Sequence, residues 1–168
     1  MKHLFLLLTL AITTMNAQNT TEAIQKEIDQ TVWKPFQNAF ETLDGDALNA
    51  TYAAQVLRVT PQGIDTENAF KKGNAERFAA NRKNGDTISL DFWFDSRKTN
   101  ETTSYEVGFY RIGFTSKDGK TQYSYGQFHI VLEKIKGQWK ITQDWDTATI
   151  AGKPITAKEF DKKEALRF

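Results

Sequence analysis

Apolar residues recur every four positions from Ile24 through Ile28, Val32, Phe36 and Phe40, and Ala39 and Leu43 fall on the same side. That spacing predicts an amphipathic helix, opened by a capping-box variant at Asn19 and Glu22 and closed by Asp44-Gly45-Asp46. Pro35 removes one backbone donor and predicts a kink near Thr31. A short second helix is expected over about 47–53, with Leu48 and Tyr52 inward, then a strand over 55–60 and a turn at Pro61-Gln62-Gly63. Asp65 or Thr66 is expected to cap a third helix that runs to about Lys83, buries Ala69, Phe70 and Phe78, and ends at Asn84-Gly85-Asp86. From Thr87 the period switches to two. Four strands are predicted, over 87–97, 104–115, 120–134 and 138–147. Thr156 and Glu159 form a capping box for a short helix that ends near Phe168.

The hairpin signals set an expected register. With Asp118-Gly119 as a two-residue turn, Phe109 faces Phe128, Val107 faces Ile130 and Tyr105 faces Leu132. With Lys136-Gly137 read likewise, Leu132 faces Ile141, Phe128 faces Trp145 and His129 faces Asp144. One sheet face then carries Tyr105, Val107, Phe109, Phe128, Ile130, Leu132, Trp139, Ile141 and Trp145. The other carries His129, Asp144, Asp146 and a Tyr110/Tyr123/Tyr125 group. A bulge near Gln143 would turn Asp144 to the apolar side. A slip of one residue moves a whole strand's side chains to the opposite face.

Composition narrows the classes. The chain has 168 residues, 39% of them hydrophobic, which suits one ordinary globular domain. Its 22 Lys and Arg balance 21 Asp and Glu, which argues against a nucleic-acid partner held by bulk charge. There is no Cys, so thiol nucleophiles, disulfides and thiolate metal sites are excluded. Lys2 and the apolar run from Leu4 to Ile12 read as an export signal over 1–17, with Gln18 as the mature start and a periplasmic or secreted product. The run is too short to span a bilayer, and no Cys follows it to carry a lipid, so no membrane anchor is expected. After removal of His3 with the leader, His129 is the one remaining histidine. Asn19, Asn49 and Asn100 open N-x-Thr sequons, which matter only in a eukaryotic host.

Several segments carry a family resemblance: Trp33-Lys34-Pro35-Phe36, Glu106-Val107-Gly108-Phe109-Tyr110, Tyr125-Gly126-Gln127-Phe128, and Gly137-Gln138-Trp139-Lys140-Ile141 leading to Asp144. In that order they resemble the SnoaL-like (ketosteroid isomerase-like) branch of the nuclear transport factor 2-like superfamily, over about 20–147. The resemblance implies an α+β cone: three N-terminal helices on a curved, mostly antiparallel sheet. It implies a domain over 18–148, a tail over 149–168, a pocket inside the cone, and a homodimer through the outer sheet face. Members of the superfamily include ketosteroid isomerase, scytalone dehydratase, polyketide cyclases, limonene epoxide hydrolase and non-catalytic binders, so the fold leaves function open.

The candidate chemistry is sparse. His129 with Asp144 is the best catalytic candidate, because a carboxylate on one ring nitrogen orients a histidine and raises its basicity. Asp146 beside Asp144 would share a proton, hold a hard cation or bind an arginine. Arg111 and Gln143 fall on the apolar face and need partners. Trp33, Tyr52, Arg58, Trp93, Tyr105 and Trp145 complete the ligand-pocket candidates. Helix one carries Trp33 where the ketosteroid isomerase pattern has a tyrosine, and one histidine cannot supply the two of scytalone dehydratase. No Gly-rich phosphate loop, GxSxG motif or metal-ligand set is present in the sequence, so no cofactor and no metal are expected. The leading expectation is a binder of a small, largely apolar molecule without catalysis. The alternatives are a metal-free acid–base lyase or isomerase (or cyclase) using His129 and Asp144, and a protein-interaction module using the outer sheet face. The tail is expected to cap the cone mouth through Phe160, Leu166 and Phe168, or to fray.

Overall fold

A computed structural model describes residues 20–168. The expected export signal over 1–17 and the helix cap at Asn19 lie outside the described residues. Helix α1 is continuous over 20–41 and buries Ile28, Val32, Trp33, Ala39 and Phe40. The effect of Pro35 appears one turn earlier than the residue itself. Asp29–Trp33 is a π-turn, in which the Lys34 amide donates to the Asp29 carbonyl five residues back. Pro35 supplies no amide to Thr31, and the wider turn absorbs the missing bond. Helix α2 spans Gly45–Ala50, capped by the Asp44 side chain on the Ala47 amide. Helix α3 spans Ala69–Asn84, later than expected: Asn68 sits in the left-handed region and the Asp65 carboxylate takes the Phe70 amide.

The strands are β1 Tyr52–Thr60, β2 Gly63–Asp65, β3 Thr87–Thr99, β4 Thr103–Thr115, β5 Thr121–Ile135 and β6 Gln138–Thr147. They form one sheet in the order β2-β1-β6-β5-β4-β3, antiparallel except for the β1/β6 pair. The N-terminal helices pack on its inner face, and the main core lies between them. A small hairpin, β7 Thr149–Ile150 with β8 Lys153–Pro154, leads to helix α4, Ala157–Phe160, which carries the Thr156/Glu159 capping box.

The first hairpin differs from its expected register by one residue. Thr115 pairs with Thr121, and Ser116 donates to the Lys120 carbonyl, so the loop is Lys117-Asp118-Gly119. Gly119 takes φ 80° and donates to the Ser116 carbonyl, as in a type I turn closed by a left-handed residue. Three loop residues instead of two put Phe109 opposite Gln127, Val107 opposite His129 and Tyr105 opposite Val131. Tyr105, Val107 and Phe109 therefore face outward. Ser104, Glu106, Gly108 and Tyr110 face inward beside Phe128 and Ile130. Gly108 is required there, because a side-chain carbon would run into the Phe128 ring and the Trp93 carbonyl.

The second hairpin begins as expected. Lys136 and Gly137 both have positive φ, and Leu132 faces Ile141. Thr142 is then an extra residue: Val131 pairs with Gln143, Ile130 with Asp144, and His129 with Trp145. This bulge turns Asp144 and Asp146 into the cone and Gln143 and Trp145 out of it.

The tail does not close the cone mouth. Phe160 packs on the outer face with Trp93, Phe109 and Ile155, and the Trp93 indole donates to the Phe160 carbonyl at 2.7 Å. The chain then passes the β3 edge, where the Leu166 amide donates to the Phe92 carbonyl and Arg167 pairs with Asp91. That contact covers edge groups otherwise open to another strand. Phe168 meets Phe92 at 5.9 Å.

Candidate functional site

The cone holds an open cavity of about 220 Å³. An aromatic wall encloses its inner part: Trp33 and Phe36 from α1, Phe92 from β3 and Phe128 from β5. Trp33 is the hub, 5.4 to 5.7 Å from the rings of Phe36, Phe92 and Phe128. Its orientation is set by a buried polar bond. The indole donates to Glu106 Oε2 at 2.7 Å. Glu106 Oε1 accepts from Ser104 and Arg97, both at 2.9 Å, and Arg97 also reaches Asp29 at 2.7 Å. Burial pushes the Glu106 carboxyl above its usual range, and the Arg97 charge opposes that shift.

The polar part of the cavity is built on three strands. Arg58 on β1 lies beside Asp144 on β6, and Asp144 and Asp146 face the same way two residues apart. The Arg58 guanidinium spans both: one nitrogen bonds Asp144, the other reaches Asp146 at 2.7 Å. A planar fork suits that double task better than an ammonium. Tyr52 donates its hydroxyl to Asp144 at 2.8 Å. Of the roles open to the aspartate pair in the sequence, the bond to arginine is the one formed. No cluster of three or more metal-ligating side chains exists among the described residues.

Tyr110, on β4 opposite Gly126, is a further polar group here, and Asn74 and Arg77 line the cavity from α3. The Tyr110 ring lies so close to Gly126 that any side chain there would collide. Its hydroxyl has no hydrogen-bond partner among the described residues. Burial and the Asp146 charge push its pKa up to about 12. Burial also raises the Asp146 carboxyl, partly opposed by Arg58 and reinforced by the Asp144 charge. Burial alone lowers the Arg58 pKa, but the charges of Asp144 and Asp146 hold it above the ordinary value. The arrangement offers a ligand one free hydroxyl and one carboxyl that accepts a proton more readily than usual, at the end of a greasy chamber.

The structure divides the sequence candidates. Trp33, Tyr52, Arg58 and Asp144 line the cavity. His129, Tyr105 and Trp145 form a ladder on the outer face: the Tyr105 hydroxyl meets His129 Nδ1 at 2.5 Å, and the His129 ring abuts Trp145 edge-on at 4.5 Å. His129 is therefore not paired with Asp144, because the Thr142 bulge puts the two on opposite faces. Partial burial lowers the His129 pKa. Arg111 and Trp93 also lie outside the cone, Arg111 holding Asp91 through two nitrogens at 2.7 and 3.1 Å. Gln143 is exposed. Glu106 and Arg97 are not among the sequence candidates, and Tyr110, expected on the outer face with Tyr123 and Tyr125, lines the cavity instead. The three-residue reading of the first hairpin would have turned Tyr110 and Glu106 inward.

No protein-family model matches the chain, and no curated protein matches it by sequence. Solved structures do match. A conserved protein from Planctomyces limnophilus shares 18% identity at TM-score 0.59, over 74% of this chain and 96% of its own. A nuclear transport factor 2-like protein of unknown function from Shewanella oneidensis shares 22% identity at TM-score 0.54, over 73% and 98%. A ketosteroid isomerase-like protein from Erwinia carotovora shares 17% at TM-score 0.50, over 67% and 87%. At such identities the likeness speaks for architecture alone, and the chain has the nuclear transport factor 2-like fold.

Proposed function

We propose that the chain is an exported binder of one small, largely apolar molecule, with residues 1–17 as its leader and the cone cavity as its site. The observation that carries this reading is the Tyr110 hydroxyl: a half-buried polar group, without a protein partner among the described residues, on an open cavity walled by aromatic rings. A phenol at the edge of a greasy chamber fixes a ligand's orientation through its carbonyl or hydroxyl, which takes the place of water on it. The volume suits a one- or two-ring body, since a dry cavity of about 150 Å³ already accepts benzene. Native mass spectrometry of protein from its own host is the test. It is expected to show a chain starting at Gln18 with a retained small mass, lost in Ile112→Trp, which fills the cavity, and kept in His129→Ala. Protein that carries no small mass, or whose small mass survives Ile112→Trp, overturns the reading.

A second reading has its own support. Asp146 holds a proton more readily than a free carboxylate and sits by a free phenol, the pair an acid–base isomerase, dehydratase or cyclase requires. His129 has no path to the cavity, so Asp146 and Tyr110 carry this alternative. Turnover of a ketone or epoxide panel that vanishes in Asp146→Asn but survives His129→Ala supports it.

The outer face bears on assembly. Two rows cross it, Leu57-Gln143-Val131-Tyr105 and Val59-Trp145-His129-Val107, and Leu57 and Tyr105 are about 40% exposed. We propose that a second copy covers these rows, beside the part already occupied by the tail. Sedimentation at micromolar concentration is expected to show a dimer that Tyr105→Glu dissociates; a monomer in the unmodified protein removes this proposal.

A further inference from the structure

Arg77 lines the same cavity from α3 and, among the described residues, is the one cationic group there without a carboxylate. It reaches solvent, but its guanidinium lies over the rings of Phe78 and Phe40, at 5.1 and 6.0 Å from their centres. Its only polar bond among the described residues goes to the Asn74 side-chain oxygen at 3.2 Å. Arg58, by contrast, is spent on two aspartates. Arg97, Arg111 and Arg167 each pair with at least one carboxylate, and Arg82 donates to the Thr42 and Leu43 carbonyls away from the cavity. Burial weakens the charged form of Arg77, and the nearby positive charge of Arg58 weakens it further. Of the groups near it, Arg58 opposes the Arg77 charge and Tyr52 favours it, and none of them pairs with it. An anion placed between Arg77 and the chamber would relieve both effects.

We infer that the ligand of this cavity carries a carboxylate, paired with Arg77 at the rim, and an aromatic or alicyclic body inside. The inference rests on the binding reading above and names the ligand's class. The guanidinium presents parallel N–H groups that match a carboxylate in two-point contact. The rings beneath Arg77 hold it in place, so little side-chain freedom is lost on binding. The body of such a ligand would lie against Phe36 and Trp33.

Phenylacetate and its neutral counterpart phenylacetamide are suitable probes. They are titrated into the full chain with detection by perturbation of protein amide and methyl resonances, Ile112 and Ile130 included. Phenylacetate is expected to bind about tenfold more tightly than the amide, with a preference that salt weakens. In Arg77→Gln the preference should shrink to within about twofold. Lys72→Gln, on the exposed side of the same helix, should leave the preference intact. Equal binding of the two probes, or a preference that survives Arg77→Gln, overturns the inference and leaves the cavity reading standing. If neither probe perturbs the cavity resonances at millimolar concentration, both fall together. A preference lost equally in Lys72→Gln reports diffuse surface charge and also overturns the assignment to Arg77.

Discussion

Replacing Glu106 by alanine is expected to lower the unfolding free energy by about 2–4 kcal/mol, below the cost of breaking an isolated buried pair because Arg97 keeps Asp29. The side chain is fully buried. Its loss leaves the Trp33 indole without an acceptor, removes a bond from Ser104, halves the carboxylates around Arg97 and opens a void. For a domain of this size that corresponds to a fall of about 10 °C in Tm. Glu106→Gln keeps the shape and an acceptor for Trp33 but not the charge, so it should lose less. Urea unfolding of the three proteins decides the matter: a Glu106→Ala loss below about 1 kcal/mol would show the cluster to be energetically neutral. Trp33 is freed at the same time, so the cavity wall should loosen, and indole fluorescence should shift toward that of exposed tryptophan.

Arg58→Met is expected to give the second large effect, with a pH dependence that identifies its cause. The variant keeps the length of the side chain but leaves Asp144 and Asp146 facing each other without their shared cation. A loss of about 3 kcal/mol is expected near neutral pH. The sign of the pH effect follows from Asp146. Its folded pKa already stands above the unfolded value of 3.8, chiefly through burial. The folded state therefore binds the proton more tightly. That contribution to stability is fully present below the unfolded value and is lost as pH rises through the folded one. Without Arg58 the folded value rises further and the window widens upward. The deficit of the variant against the parent should thus be largest at about pH 7.5 and shrink toward about pH 4.5. A deficit that stays constant across that range would mean that Arg58 acts through packing, by its place over Phe70, and not through the two carboxylates.

The helices and strands were legible because their signals are local. Ile28, Val32 and Phe40 keep a helical period, Gly85 ends α3 in the left-handed conformation, and Lys136-Gly137 supplies the two positive-φ residues of a tight turn. The site was legible only in pieces. Trp33, Tyr52, Arg58 and Asp144 were named as candidates, but their assembly depended on two single-residue events. One was a three-residue loop where Asp118-Gly119 suggested two. The other was the bulge at Thr142. Each is worth a small local energy, and each flips every side chain beyond it. Together they exchanged Tyr105, Val107 and Phe109 for Glu106, Gly108 and Tyr110 on the inner face, and separated His129 from Asp144.

By itself, the sequence determined the α+β order of elements, the core stripe of helix α1 and the absence of thiol chemistry, because period, turn residues and composition act within a few residues of each other. The tertiary structure alone decided which face each strand residue occupies. It also decided that Arg58 bridges two aspartates, that Arg77 is left without one, and that the tail runs from the outer sheet face past the β3 edge to Phe92. Those outcomes depend on contacts between residues far apart in the chain, such as Tyr52 with Asp144, 92 positions away. A polar or charged group chooses its partner only after packing has fixed which groups lose water together.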